Sequence, residues 1–104
     1  MDGKKYEKHV AKKMKWRGYI FVRVTGQSAD YGRDIKARTF PLMRKAIVQC
    51  KYYSKPVGVK AVQEAISARE FYRASVAIVA SNNTFTRNAK VLAQKCNVRL
   101  WERY

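Results

Sequence analysis

The spacing of apolar positions along the chain switches between helical and strand periods, and the switches mark the elements. In "GKKYEKHVAKKMKWRG", Tyr6, Val10 and Met14 recur at i, i+4 and i+8, with Ala11 and Gly3 near the same stripe. That spacing predicts an amphipathic helix, and Gly18 is its natural stop. "YIFVRVT" is β-branched and aromatic and predicts a strand. "RDIKART" and "KAIVQCKYY" predict a second and a third strand, joined by a loop containing Pro41. The third is the more apolar and the more central. "GQSADYG" between the first two strands is turn-rich, and "SKPVGV" breaks the sheet.

"VKAVQEAISAREFYR" then predicts a second helix whose apolar arc is Val59, Ala61, Val62, Ala65 and Ile66. "SVAIVAS" is a continuous apolar strand, as expected where both faces are covered. "NNTFTRNAKVLAQKCN" predicts a third helix, capped by Thr84 or Thr86 and stopped at Asn97. Phe85, Ala89, Leu92, Ala93 and Cys96 form its buried side. "VRLWERY" closes the chain as a short strand. The order α-β-β-β-α-β-α-β predicts a mixed α/β sandwich. An antiparallel meander is followed by a crossover helix and a strand that pairs parallel.

One strand breaks its own pattern. In "IVQCKYYS", Ile47, Gln49 and Lys51 point one way and Val48 and Cys50 the other. One face of a core strand thus runs from apolar into an amide and then an ammonium. Asp34 falls just inside the second strand, and a short connection makes strands two and three neighbours. Asp34, Gln49 and Lys51 then converge at one end of the sheet. A carboxylate beside an amide and an ammonium suits metal-assisted phosphodiester hydrolysis. The carboxylate takes Mg²⁺, a hard cation that prefers oxygen and keeps several waters, with Mn²⁺ as a substitute. An amide oxygen and a backbone carbonyl complete the protein's share. The metal supplies hydroxide near neutral pH, and the lysine orients the water or neutralises developing charge.

Charge narrows the partners. Twenty-three Lys and Arg stand against seven acids, a net charge of +16 and a pI near 10.3. A field of that sign draws polyanions, so nucleic acid is the expected partner. Lys4, Lys5, Lys8 and Lys12 load the first helix, and Lys36, Lys55 and Lys60 the middle; these are the expected DNA contacts. Lysines over much of its circumference make the first helix a poor membrane anchor. With 104 residues and 47% hydrophobic content, the chain reads as one domain, 1–104, with one core. Cys50 and Cys96 lack metal spacing, and His9 stands alone, which argues against zinc. No signal peptide or membrane-spanning run is present, which predicts a cytoplasmic protein with reduced thiols.

The ordered set "GRDI", "VQCK" and "SKPVGVKAVQEA" resembles the catalytic domain of Mrr-type restriction endonucleases, a branch of the PD-(D/E)XK nucleases. The pattern around Tyr6 and Glu7, the G-x-S-x-D-x-G-x-D loop (Gly26, Ser28, Asp30, Gly32, Asp34) and "FTRNAKVLA" extend it over nearly the whole chain. The resemblance implies a restriction-endonuclease-like αβββαβ core, with helices flanking a mixed central sheet, followed by a C-terminal helix and short strand. It implies that Asp34 is the metal carboxylate, that Gln49 and the Cys50 backbone carbonyl are further ligands, and that Lys51 is the catalytic lysine. Glu7 and Gln63 match positions with supporting roles. Gln-x-Lys stands where Glu-x-Lys is commoner, which removes one negative charge and implies weaker metal affinity.

Each residue also has a plainer reading. Asp30 binds metal or braces its turn, and Ser28 touches phosphate or only forms the loop. Glu7 lies on the buried stripe of the first helix, where an acid is costly unless paired or at an edge. It supports the metal or its water from behind the direct ligands, or it is a helix-start acid favoured by the dipole or a partner for a nearby lysine. Gln63 reaches the site from the edge of the second helix's apolar arc, or packs there. Trp16, Tyr52 and Tyr53 stack on bases or belong to the core and rim.

The expected activity is a Mg²⁺-dependent DNA endonuclease with little sequence specificity of its own. A separate recognition partner would supply specificity, and a homodimer would cut both strands. Two competitors stay open: a Holliday-junction resolvase-like nuclease and a nucleic-acid-binding module without catalysis.

Overall fold

The computed structural model describes residues 1–25 and 34–104. Helix α1 (Gly3–Trp16) is followed by strands β1 (Ile20–Val24), β2 (Asp34–Arg38) and β3 (Lys45–Lys51). Then come α2 (Val59–Phe71), β4 (Val76–Ser81), α3 (Arg87–Lys95) and β5 (Val98–Trp101). The strands form one sheet in the order β1-β2-β3-β4-β5. The first three pair antiparallel, and β3–β4 and β4–β5 pair parallel. This is the expected mixed sheet between helices.

Local chemistry sets the element ends. Asp2 caps α1 by accepting the Lys5 N–H at 2.9 Å. Gly18, at φ 94°, turns the chain out of that helix in a conformation that favours glycine. Of the two threonines open as caps for α3, Thr86 takes the role, accepting from Ala89 N–H at 3.2 Å. Asn97, at φ 55°, is the left-handed stop after that helix.

The sheet is covered on both faces. Tyr6, Val10 and Met14 of α1 pack on Ile35, Val48 and Ile78. Ala61, Val62 and Ala65 of α2, with Ala89 and Ala93 of α3, pack on Ile47, Ala77 and Val79. Each fully buried large side chain contributes about 1.5–3 kcal/mol. The alternation of β3 is as its sequence requires, with Ile47 toward α2 and α3 and Val48 toward α1. No described helix is long and apolar enough to cross a membrane.

Candidate active site

The register of β2 against β3 pairs Asp34 directly with Gln49. Both are buried, at 0% and 1% exposure, although neither is apolar. The Gln49 amide nitrogen donates to Asp34 Oδ1. Asp34 Oδ2 is buried and has no hydrogen-bond partner among the described residues. The sequence led to an amide oxygen turned toward this site; the structure has the nitrogen against the carboxylate. An amide oxygen and a carboxylate oxygen would repel at this contact, so the donor end faces Asp34.

Burial pushes the Asp34 carboxyl up to about 7, and the Glu7 carboxylate adds to the rise. The Tyr72 hydroxyl and the Lys51 and Lys36 ammonium groups pull the other way. Glu7 is buried on α1, as its place on the helix stripe requires, and acts electrostatically on both Asp34 and Cys50. Cys50 turns its side chain to the α1 face, where burial raises its thiol above the ordinary range. Its backbone follows the Asp34–Gln49 pair, at which the described β2–β3 ladder ends.

Lys51 lies two residues beyond Gln49 on the same side of β3. Its Nζ donates to Glu64 of α2 at 2.8 Å, with both side chains mostly covered. The family resemblance points instead to its neighbour Gln63. Gln63 itself is exposed. At ~100° per residue it stands ~160° from the centre of the arc formed by the buried Ala61, Val62, Ala65 and Ala68. One residue further round, Glu64 flanks that arc and reaches the sheet end.

A second group missed from sequence fixes the exit of β3. Ser81, at the end of β4, donates its hydroxyl to the Lys51 carbonyl at 2.7 Å. Asn82 accepts from Tyr53 N–H at 2.8 Å and donates to Tyr53 O at 2.9 Å. The run Ser81-Asn82 therefore clamps the backbone on both sides of Tyr52. The only sequence signal for it is polarity at the end of an otherwise apolar strand. Tyr52 contacts the Tyr6 ring at 5.4 Å between centroids, and Trp16 is exposed.

The expected DNA contacts separate by position. Lys4, Lys5, Lys8 and Lys12 are exposed within ~100° of arc on α1, away from its buried side. Lys55 and Lys60 are exposed around the start of α2. Lys36 stands on the Asp34 face of β2, its ammonium 4.1 Å from the centre of the Tyr72 ring. His9 Nε2 lies 3.2 Å from the Tyr104 carbonyl and takes no part in the cluster. Ser28 and Asp30 fall outside the described residues.

The donor set bears on the metal. Among the described residues no three His, Cys, Asp or Glu side chains group to hold an ion. The cluster offers one carboxylate, one amide and backbone carbonyls. That is a hard, weakly charged oxygen set, which fits a cation that retains much of its water shell. The unpartnered buried Oδ2 of Asp34 is where such a charge would be best compensated.

The family model of Mrr catalytic domains, described as restriction endonuclease, matches residues 1–104. The chain belongs to that family. Solved structures of similar fold include EndoMS in its apo form, with a TM-score of 0.74 at 14% identity. The match covers 98% of this chain and 46% of that one. The DNA modification-dependent restriction endonuclease AspBHI aligns with a TM-score of 0.73 at 18% identity, over 93% of this chain and 27% of its own. A repair endonuclease from Pyrococcus abyssi aligns at 0.67 and 12%, over 98% and 47%. The chain thus spans half or less of each of these neighbours. No curated protein matches. At these identities the neighbours show the fold, which is restriction-endonuclease-like.

Proposed function

We propose that this Mrr-family domain is a divalent-metal-dependent DNA endonuclease, with Mg²⁺ as the metal and Asp34, Gln49 and Lys51 at its centre. The observation that carries this reading is the buried Asp34–Gln49 pair, with an unpartnered carboxylate oxygen, two residues from Lys51. A fold has no structural need for this arrangement, because an apolar pair would cost less to bury.

Asp34, the Gln49 amide oxygen and the Cys50 backbone carbonyl would hold the cation. When bound, it supplies a water of lowered pKa and compensates charge on the phosphoryl oxygens. Lys51, oriented by Glu64, directs its ammonium toward the phosphate and neutralises developing charge. Ser81 fixes the Lys51 backbone so that the side chain reaches from a defined point. Burial, with a smaller contribution from the Glu7 carboxylate on the α1 side, keeps the Asp34 carboxyl basic enough to hold a proton near neutral pH.

DNA as substrate is supported by family membership, by the charge of +16 and by the solved complex of EndoMS with double-stranded DNA. Ser28 and Asp30 would add contacts from the β1–β2 connection, and Lys4, Lys5, Lys8, Lys12, Lys36, Lys55 and Lys60 contacts to backbone phosphates. One centre cuts one strand at a time, so concerted cutting of both strands of a duplex favours a pair of copies. Sequence selection would come from an associated recognition unit.

A panel of supercoiled plasmid, linear duplex and four-way junction, incubated with Mg²⁺ or Mn²⁺, tests the reading. Cleavage of the duplexes at least as fast as the junction is expected. Cleavage confined to the junction would replace it with a resolvase. Salt-sensitive binding with no cleavage of any substrate would leave a binding module.

A further inference from the structure

On the sheet face that carries Asp34, β1 and β2 border a groove whose other wall is the C-terminal end of α2. Phe21, Arg23, Lys36, Arg38, Lys45 and Tyr72 line it, and among the described residues no acid does. The register places Arg23 opposite Lys36 and Arg38 opposite Lys45. Like charges directly opposed across a sheet are unfavourable, so this arrangement is not one that folding selects. Arg38 donates to the Met43 carbonyl at 3.0 Å and Lys36 lies over the Tyr72 ring, but neither partner carries a negative charge, which a polyanion would supply.

Phe21 is the second anomaly. Its ring is 70% exposed and belongs to neither core cluster. Its φ is 53°, a left-handed conformation that is an outlier for a bulky residue. The β1–β2 register slips between Ile20 and Arg23, so a bulge aims the ring out of the sheet. Residues held in strained backbone conformations cluster at active sites and ligand clamps.

The groove is commensurate with a nucleic acid strand. Lys36 and Arg38 project from the same side of β2 at ~6.8 Å, about the axial rise of two nucleotides. Asp34 is one further step along the same row. Aromatic rings flank the cations, as in single-strand grooves where bases stack and phosphates are neutralised. A fully paired base is already stacked and has no face to offer Phe21; an unpaired one has.

We propose that this groove takes the DNA strand leading away from the scissile phosphate, with Phe21 stacked on an unpaired base. The inference rests on the endonuclease reading for its placement relative to the cut. It selects, as substrate, duplex DNA that carries an unpaired nucleotide over fully paired duplex.

The test uses two labelled duplexes, one with a single unpaired 2-aminopurine and one fully paired, titrated with the protein in metal-free buffer. The native protein should bind the unpaired substrate about ten-fold more tightly and change its 2-aminopurine emission. Phe21→Ala should abolish both the preference and the signal, and Phe21→Trp should restore them. Phe21 is exposed, and circular dichroism confirms that each variant is folded. Replacing Arg23 and Lys45 together by Ala should lower the slope of log affinity against log salt by about 2. Equal binding of the two duplexes by the native protein, or a preference retained by Phe21→Ala, overturns the proposal. Metal-dependent cleavage is scored separately on the same duplexes. Cleavage without preference removes the groove and leaves the nuclease. Preference without cleavage does the reverse.

Discussion

Strands β3 and β4 lie side by side in parallel register at the middle of the sheet, yet they end differently. β4 is buried at every position, with Ala77 and Val79 against α2 and α3, and Val76, Ile78 and Ala80 against α1. β3 begins the same way, with Ala46, Ile47 and Val48 buried. It departs at Gln49, which sits beside Val79, and at Lys51, which sits beside Ser81. The two strands share depth and coverage, so burial alone does not dictate the polar end of β3. What differs is the outer neighbour: β2 brings Asp34 against Gln49, and α2 brings Glu64 against Lys51. Polar groups at such depth are retained at a cost in stability, and the cost points to chemistry.

That contrast can be broken in order of expected effect. Lys51→Ala should lower Mg²⁺-dependent cleavage by about 10²–10⁴-fold while leaving the fold intact, as read by plasmid nicking and circular dichroism. On β4, Val79→Ala, beside Gln49, should cost stability and leave the chemistry of the folded fraction alone.

Asp34→Asn should stabilise the protein in a pH-dependent way. The Asp34 carboxyl holds its proton to about 7 in the folded chain and releases it near 4 when unfolded. The native state therefore binds the extra proton across that window, and this group's contribution to stability falls as pH rises from ~4 to ~7. The variant should match the native protein at pH 4 and exceed it by about 2–4 kcal/mol at pH 8, in denaturant titrations without metal. The same proton competes with the cation, so half-saturating Mg²⁺ for the native protein should drop as pH rises through 7.

Gln49→Glu restores the commoner acidic motif. It should tighten metal binding about ten-fold and lower metal-free stability above pH 7, because two carboxylates then share one buried site. Metal titrations followed by thermal melting read both effects. Ser81→Ala removes the hydroxyl that holds the Lys51 carbonyl. It should cost about 1 kcal/mol in stability and slow cleavage by only a few-fold.

Much of this was legible in the sequence, and the reason is local. Helical and strand periods mark the elements, and the short β2–β3 connection places Asp34 beside Gln49. Glu64 was not legible, because motif resemblance pointed to Gln63, and a single ~100° step around α2 decides which residue faces Lys51. The Ser81-Asn82 clamp on Lys51 and Tyr53 joins segments 29 or 30 residues apart, with no periodic signal. The amide orientation of Gln49 depends on the charge beside it, and the exposed ring of Phe21 on a register slip that composition does not encode.

The central claim is that the polar end of β3 is an active centre. Nicking of supercoiled DNA with Mg²⁺ by the native protein and by folded Asp34→Asn, at pH 8 and equal concentration, tests it most directly. The native protein should nick the plasmid and stop on chelation of the metal, and the variant should be at least as stable yet inactive. Native-level nicking by Asp34→Asn would contradict it.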